Sequence, residues 1–212
     1  MNAPPPLPRG MLRHITPARQ AWAGLVLLAL LALPPSRHGL EASMWRHMLL
    51  QFPLWMAVGG LLIAALPPAA HSAIARWNAH GISGLVLAAL VLAVLMIPRV
   101  LDLALLRPSV EWAKCTALLA AGAALRLSWR QAGLIVQGFF LGNTLPMAAV
   151  VGQLYIDSPL RLCNAYLLDD QERLGQWLMA SAAIIAALWL AQAGWWIVRR
   201  EAREEASRAR QA

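Results

Sequence analysis

The chain alternates between long apolar runs and short segments that carry charge and proline. A helix needs about 20 apolar residues to cross the hydrocarbon of a bilayer. Five runs meet this length, and a sixth is shorter. The pattern therefore predicts an all-α, polytopic membrane bundle of about six transmembrane helices. The five long runs span residues 44–66, 81–98, 110–127, 131–155 and 174–198, and the short run spans 19–35.

The first apolar run has two interpretations. Its uninterrupted core from Ala21 to Leu33 is 13 residues long and follows a basic segment, which is also the pattern of a cleaved signal peptide. A small-residue Ala-x-Ala cleavage site does not follow, because the run ends in Leu33-Pro34-Pro35. We therefore expect a retained short span.

Composition supports a membrane location. Hydrophobic residues make up 59% of the chain and charged residues 13%, about half the usual charge of a soluble domain. The formal net charge is +8, and 17 of the 18 basic residues are arginines that fall in short clusters between apolar runs. This pattern is typical of cytoplasmic anchoring and lipid headgroup contact, and it argues against a nucleic-acid partner.

Arginine and lysine counts predict the orientation. With six spans and a cytoplasmic N-terminus, 11 basic residues fall on the cytoplasmic side and 7 on the other. We therefore expect a multi-pass protein of a bacterial-type inner membrane with both termini in the cytoplasm.

The same patterns divide the chain into three predicted segments. These are a disordered Pro/Arg-rich cytoplasmic N-terminus (1–18), the transmembrane bundle (19–198) and a charged helical cytoplasmic tail (199–212).

A methionine–histidine turn opens the second span. Met44, His47 and Met48 are spaced i, i+3 and i+4, which places all three on one face of a helix. Two thioethers beside an imidazole suit copper, because soft sulfur favours Cu(I). The alternative is that the methionines only pack in the bundle and His47 lies at the headgroup boundary.

Two further sulfur residues are candidates for the same metal. Met147 is expected to point toward the outer half of the fifth span, and Cys163 lies in the last outer loop, where its thiolate would be a strong copper ligand. A bridge between Cys115 and Cys163 is conceivable, but two unrelated thiols are expected. An unpaired, half-buried thiol is the alternative role of Cys163.

Three polar residues in apolar surroundings are candidate cofactor-binding residues: Asp102, Lys114 and Asn143. An acid inside a membrane is a functional candidate, although Asp102 could instead pair with Arg99. Lys114 is the only lysine; it could neutralise Asp102, or it could snorkel to the interface with Glu111 as its partner.

The fifth span carries a glycine pair beside Asn143. Gly138 and Gly142 form a small-xxx-small pair that allows close helix approach. Asn143 falls near mid-membrane, where its amide would bond across helices or to backbone loosened by Pro146.

The stretch Met44-Trp-Arg-His47-Met48-Leu-Leu-Gln-Phe-Pro53-Leu54, with Leu61-Leu62 and Leu66-Pro67 after it, resembles the multi-span cytochrome c oxidase assembly factors of the CtaG type. The corresponding helix of that family opens with His-Met-x-x-His-Met before an apolar run containing Pro-Leu. Ser43 stands where the family has its first histidine. The resemblance implies a role in bringing copper to the oxidase on the outer side of the inner membrane, with Met44, His47 and Met48 matching the motif.

These observations predict a non-enzymatic membrane protein that binds copper transiently at its outer face and assists assembly of respiratory cytochrome c oxidase. Its partners would be the lipid bilayer, oxidase subunits or a copper chaperone. The alternative is a non-catalytic subunit with a quinone- or haem-binding pocket, or an anchor for a partner complex. A transporter is a third possibility. Catalytic motifs such as a P-loop, GxGxxG or HExxH do not occur in the chain.

Overall fold

The computed structural model describes residues 16–209, and within that range the chain is helical with no strand. This confirms the predicted all-α bundle. Most of the predicted N-terminal segment, residues 1–15, lies outside the described residues. The helices are α1 Pro17–Ala32, α2 Pro34–Glu41, α3 Met44–Arg46, a π-helix His47–Gln51, α4 Phe52–Leu62, α5 Pro68–Trp77, α6 Ile82–Leu95, α7 Pro98–Leu106, α8 Pro108–Trp129, α9 Gly133–Asp157 and α10 Leu168–Ala209.

Proline sets many of the helix boundaries. Six of the described helices have a proline at one of their first two positions. Five of these helices start after a non-helical residue, so the missing backbone N–H costs no helical hydrogen bond, whereas α4 continues directly from the π-helix. The residue before such a proline is held extended, as at Leu33, Ile97 and Arg107. A further break lies at Pro98, since α6 ends at Leu95 and α7 begins at Pro98.

Each of the six apolar segments contains a helix, but not every one is a straight span. Within residues 16–209, three helical stretches are long and apolar enough to cross a membrane: Met44–Ala65, Gly133–Asp157 and Leu168–Glu205. Two bent pairs raise this number to five if each pair counts as one span. In the first pair α1 and α2 meet at 73°, and in the second α5 and Ala79–Leu95 meet at 67°.

Helix α8 lies at the centre of the bundle, against α4, α6 and α7. Helix α1 packs on α4, whereas α9 packs mainly on α10. The outward surface exposes many large apolar side chains, among them Leu90, Ile135 and Leu188. Such a surface suits contact with a lipid bilayer.

Paired glycines allow the backbones of α4 and α8 to touch. A Cβ on Gly59 would overlap the Leu119 carbonyl, and one on Gly122 would overlap the Met56 carbonyl. A second crossing of this kind joins α9 and α10 at Gly152 and Gly175. Close approach through small residues is the usual way in which membrane helices pack.

The glycine pair predicted for the fifth span behaves differently. Gly138 faces Trp189 of α10, with 3.0 Å between an added Cβ and the indole ring. Gly142 meets nothing within 4 Å. Within the described residues, Gly138 therefore contacts a side chain of α10, and Gly142 contacts no other helix.

We predict that Gly122→Ala lowers the free energy of unfolding by about 3 kcal/mol or more, because the methyl group would force α4 and α8 apart. Gly194→Ala in α10 is the matched control, since an added Cβ there meets nothing within 4 Å. The control should leave stability unchanged or raise it by up to about 1 kcal/mol. Equilibrium unfolding in mixed detergent micelles measures both, and equal stability of the two variants would contradict the crossing.

Candidate functional site

Buried polar side chains gather at one end of the bundle, where α2 ends and the π-helix and α8 begin. The segment between α9 and α10 covers this end. The buried polar residues at this end are Ser43, His47, Gln51, Asp102, Glu111, Lys114 and Gln171. At the opposite end of the bundle, Asn78 donates a hydrogen bond to Ser128 at 2.9 Å.

Lys114 occupies the centre of this end and is 2% exposed. Its ammonium donates hydrogen bonds to His47 Nε2 at 2.7 Å and to Gln51 Oε1 at 3.2 Å. It also forms an ion pair with Glu111 Oε2 at 2.7 Å. The predicted pairing with Glu111 is confirmed, but the side chain does not snorkel, because its charge is compensated inside the bundle.

Five side chains close into what we call the ionic ring: Arg37, Glu41, Gln51, Lys114 and Glu111. Arg37 Nε lies 2.9 Å from Glu41 Oε1, to which Gln51 Nε2 also donates at 3.4 Å. The ring closes through Lys114 and Glu111, since Glu111 Oε1 lies 3.9 Å from the Arg37 guanidinium. Two positive and two negative formal charges sum to zero. Lys114 and Glu111 are buried, whereas the Arg37 side chain is 42% exposed, and buried charges such as the first two are tolerated only when they are paired.

His47 connects the ionic ring to the segment between α9 and α10. Its Nε2 accepts from the Lys114 ammonium, so the ring proton belongs on Nδ1, which donates to Tyr166 Oη at 2.8 Å. The Tyr166 hydroxyl in turn donates to the Glu41 carbonyl at 2.9 Å. Both ring nitrogens of this fully buried imidazole are therefore engaged, and the hydrogen-bond network assigns the neutral Nδ1–H tautomer.

His47 and Gln51 both reach Lys114 because they lie four residues apart, a spacing that places two side chains on one face of a helix. The segment that carries them is a π-helix, which closes its hydrogen bonds from i to i+5. His47 and Gln51 begin and end this segment and face the same ammonium.

Asp102 forms a second cluster, which we call the carboxyl clasp: Asp102 with Cys163, Asn164 and Ala165. Its carboxylate accepts from the Cys163 thiol at 2.8 Å and from the backbone N–H groups of Asn164 and Ala165 at 3.0 and 3.1 Å. The Asn164 amide adds a fourth bond at 3.2 Å. Burial opposes ionisation, but the four bonds favour it, and the pKa of Asp102 lies below its ordinary value.

The clasp has the opposite effect on Cys163. Burial and the bond to Asp102 raise the pKa of the Cys163 thiol to about 12, so the sulfur is a neutral thiol at pH 7. Cys163 and Cys115 are both free and buried. The expectation of two unrelated thiols is therefore confirmed. Cys163 is buried because Asn164 and Ala165 fold the loop onto Asp102.

The clasp also positions Tyr166. It fixes the three residues that precede the tyrosine, and Arg161 Nε donates to the Tyr166 carbonyl at 2.9 Å. Asp102 in α7 therefore acts on His47 indirectly, by holding the segment that carries the His47 partner.

The structure brings some of the predicted residues together and separates others. His47 and Lys114 are in contact, and Met44, Met48 and Cys163 lie in the same buried apolar cluster. Asp102 bonds to the loop, so the expected pairing of Asp102 with Lys114 or Arg99 is replaced by the clasp.

Two predicted residues lie apart from His47. Asn143 is exposed on α9 and donates to the Phe139 carbonyl of its own helix at 2.6 Å. Met147 is half-buried and lines a groove of about 210 Å³ with Met96, Pro98 and Tyr155.

Four residues of the network were missed in the sequence: Arg37, Glu41, Gln51 and Tyr166. Arg37 and Glu41 are an i, i+4 pair of opposite charge, a signal that was present in the pattern. Tyr166 had no such signal, since 119 positions separate it from His47.

Within residues 16–209, no three histidine, cysteine, aspartate or glutamate side chains are grouped so that they could hold a metal ion. No family model, curated protein sequence or solved structure matches this chain.

We predict that Lys114→Met lowers the free energy of unfolding by about 3–5 kcal/mol, because it leaves a buried carboxylate unpaired. The charge-balanced double variant Lys114→Met/Glu111→Gln should recover a large part of this loss. Arg200→Met is the control, because the Arg200–Glu204 pair is exposed and should cost less than about 1 kcal/mol. The pairing is refuted if the stability lost in the double variant equals the sum of the losses in Lys114→Met and Glu111→Gln measured separately.

We predict that Asp102→Asn lowers stability at pH 7 by about 1–3 kcal/mol, since a neutral amide accepts less well than a carboxylate. Because the pKa of Asp102 is lowered in the fold, its contribution is present above its ordinary pKa of 3.8 and is lost as the pH falls through the folded value. Thermal unfolding from pH 7 down to about pH 2.5 should therefore show a shallower acid decline in Asp102→Asn than in wild type. Asp157→Asn, at an exposed position on α9, is the control, and parallel acid declines in Asp102→Asn and wild type would argue against the clasp.

Proposed function

We propose that this chain is a polytopic protein of a bacterial-type inner membrane that holds Cu(I) transiently and assists assembly of a respiratory cytochrome c oxidase. Both termini would be cytoplasmic, and the end of the bundle with the ionic ring would face outward. The proposal extends the resemblance to the CtaG type.

The observation that carries the proposal is that one short segment buries an imidazole and two thioethers. His47 is fully buried, and Met44 and Met48 of the same segment are 0% and 5% exposed. The Cys163 thiol is part of the same apolar cluster. This donor set fits Cu(I), which prefers thioether, thiolate and imidazole in apolar surroundings.

Met44, His47 and Met48 would hold the ion, and Cys163 would complete the set, with binding releasing the proton that its thiol donates to Asp102. The ion would supply no reaction here, because it is cargo for the oxidase. His47 would have to release Lys114 or Tyr166 before it could donate a lone pair to a metal, since both its nitrogens are engaged. The ionic ring therefore favours transient over permanent binding.

A second function is favoured by a different observation. The charges of the ionic ring are paired with one another, and Lys114 also bonds to His47 and Gln51. Such a network also suits a subunit that only anchors or orders a partner complex, with no bound metal.

Copper binding distinguishes the two functions. The protein is purified in detergent without oxygen, loaded with Cu(I) against a chromophoric chelator, and its copper content is measured per chain. We predict one Cu(I) per chain. Met44→Leu/Met48→Leu keeps the volume of both side chains but removes both sulfurs. Affinity in this double variant should fall by more than the 10- to 100-fold that is typical for loss of an outer-sphere partner.

His47→Ala should lose copper as well, whereas His71→Ala and Met179→Leu are controls outside the candidate site. Stoichiometric copper that persists in both the methionine and the histidine variants would overturn the ligand assignment. Absence of copper in a folded wild-type protein would favour the anchoring function.

A further inference from the structure

Helix α9 is the least covered of the membrane-spanning stretches, with 6% of its most apolar window buried. It packs on α10 along one side, through Gly152, and contacts α6 and the turn Ala79–Gly81 on a neighbouring side, while the remaining side has no partner within residues 16–209. The side without a partner, which we call the open face, consists of Ile135, Phe139, Gly142, Asn143, Pro146, Val150 and Gln153, and it ends at the charged Asp157.

The open face carries polar groups that lipid cannot satisfy. The Asn143 amide gives one bond to Phe139 of its own helix, and its oxygen and second N–H have no partner within residues 16–209. Pro146 adds a second deficit, because it lacks the N–H that would normally donate to the carbonyl of Gly142, four residues earlier. Both deficits lie near the middle of α9, where an unmet hydrogen bond costs several kcal/mol in hydrocarbon.

The shape of the open face admits a second backbone. An added Cβ on Gly142 meets nothing within 4 Å, and Gly142 lies between the exposed side chains of Phe139 and Val150, which are 75% and 69% exposed. Small residues flanked by larger ones let two membrane helices approach closely.

The hydrogen-bonding groups of the open face are complementary to those of the same face on a second copy of the chain. It offers an amide donor at Asn143 and acceptors at the Asn143 side chain and the Gly142 backbone, and the residues of its central part carry no charge. Two copies inserted in the same orientation hold their α9 helices parallel, so the same residues meet across a two-fold axis. Isologous contacts of this kind are the commonest form of oligomer.

We propose that the open face of α9 is the interface of a homodimer, in which the Asn143 amides of two copies bond to each other and to the exposed Gly142 carbonyls. The dimer does not depend on copper, because the open face lies outside the ionic ring and the carboxyl clasp.

Reconstitution in liposomes tests this interface. The chain is labelled with one fluorophore at its C-terminus, and photobleaching steps are counted over a range of protein-to-lipid ratios. Wild type should show two steps at high density and one step at low density. Gly142→Leu should be monomeric at every density, because leucine fills the space that the second backbone needs, whereas nothing within one copy opposes it.

Gly194→Leu is the matched control, since Gly194 of α10 is also exposed and also meets nothing within 4 Å. It should dimerise as wild type does. Asn143→Leu should raise the dissociation constant on the order of tenfold, as expected for loss of two interhelical hydrogen bonds.

A position-specific cross-link identifies the occupant. Val150→Cys should form a disulfide between two copies, whereas Leu188→Cys on the exposed side of α10 should not. A photo-crosslinker at position 150 in native membranes should give an adduct of twice the chain mass. The proposal is overturned by single steps in wild type at all densities, by a Gly142→Leu variant that dimerises like wild type, or by an adduct to a different protein.

Discussion

The buried ammonium of Lys114 is the interaction on which the rest of the site depends. A charge in this position is costly unless opposite charge and hydrogen bonds surround it. Glu111 supplies the charge from the same helix, while His47 and Gln51 supply acceptors from the π-helix. The remaining carboxylate, Glu41, requires Arg37, and this requirement extends the network into α2. One lysine therefore fixes the relative positions of three helical segments.

Backbone packing in the apolar part of the bundle makes this arrangement possible. The glycine crossing of α4 and α8 brings the two helices together below the ionic ring, so that Lys114 on one helix reaches His47 on the other. From the third side, the carboxyl clasp holds Tyr166 against His47. The imidazole is thus oriented by a cation on one nitrogen and a phenol on the other. Any ligand that binds His47 must compete with one of these two bonds.

Much of the fold could be predicted from the sequence, because apolar runs and prolines mark helices through local physics. The site could be predicted only in part. Met44, His47 and Met48 are local in the chain, and their spacing placed them on one face. Tyr166 and Cys163 meet their partners across the bundle, and hydropathy carries no information about such contacts. Gly142 shows the same limit: its spacing from Gly138 predicted close helix packing, but α10 uses Gly175 against Gly152 instead.

The tautomer of His47 tests the central claim most directly. Nitrogen-15 NMR of the histidine-labelled protein in lipid nanodiscs at neutral pH reports which ring nitrogen carries the proton. His47→Gln identifies the resonance, and Lys114→Met tests the partner. We expect a neutral imidazole with its proton on Nδ1 and a hydrogen-bonded Nε2 that shifts in Lys114→Met. A cationic ring, or a neutral ring with its proton on Nε2, would contradict the arrangement of Lys114, His47 and Tyr166.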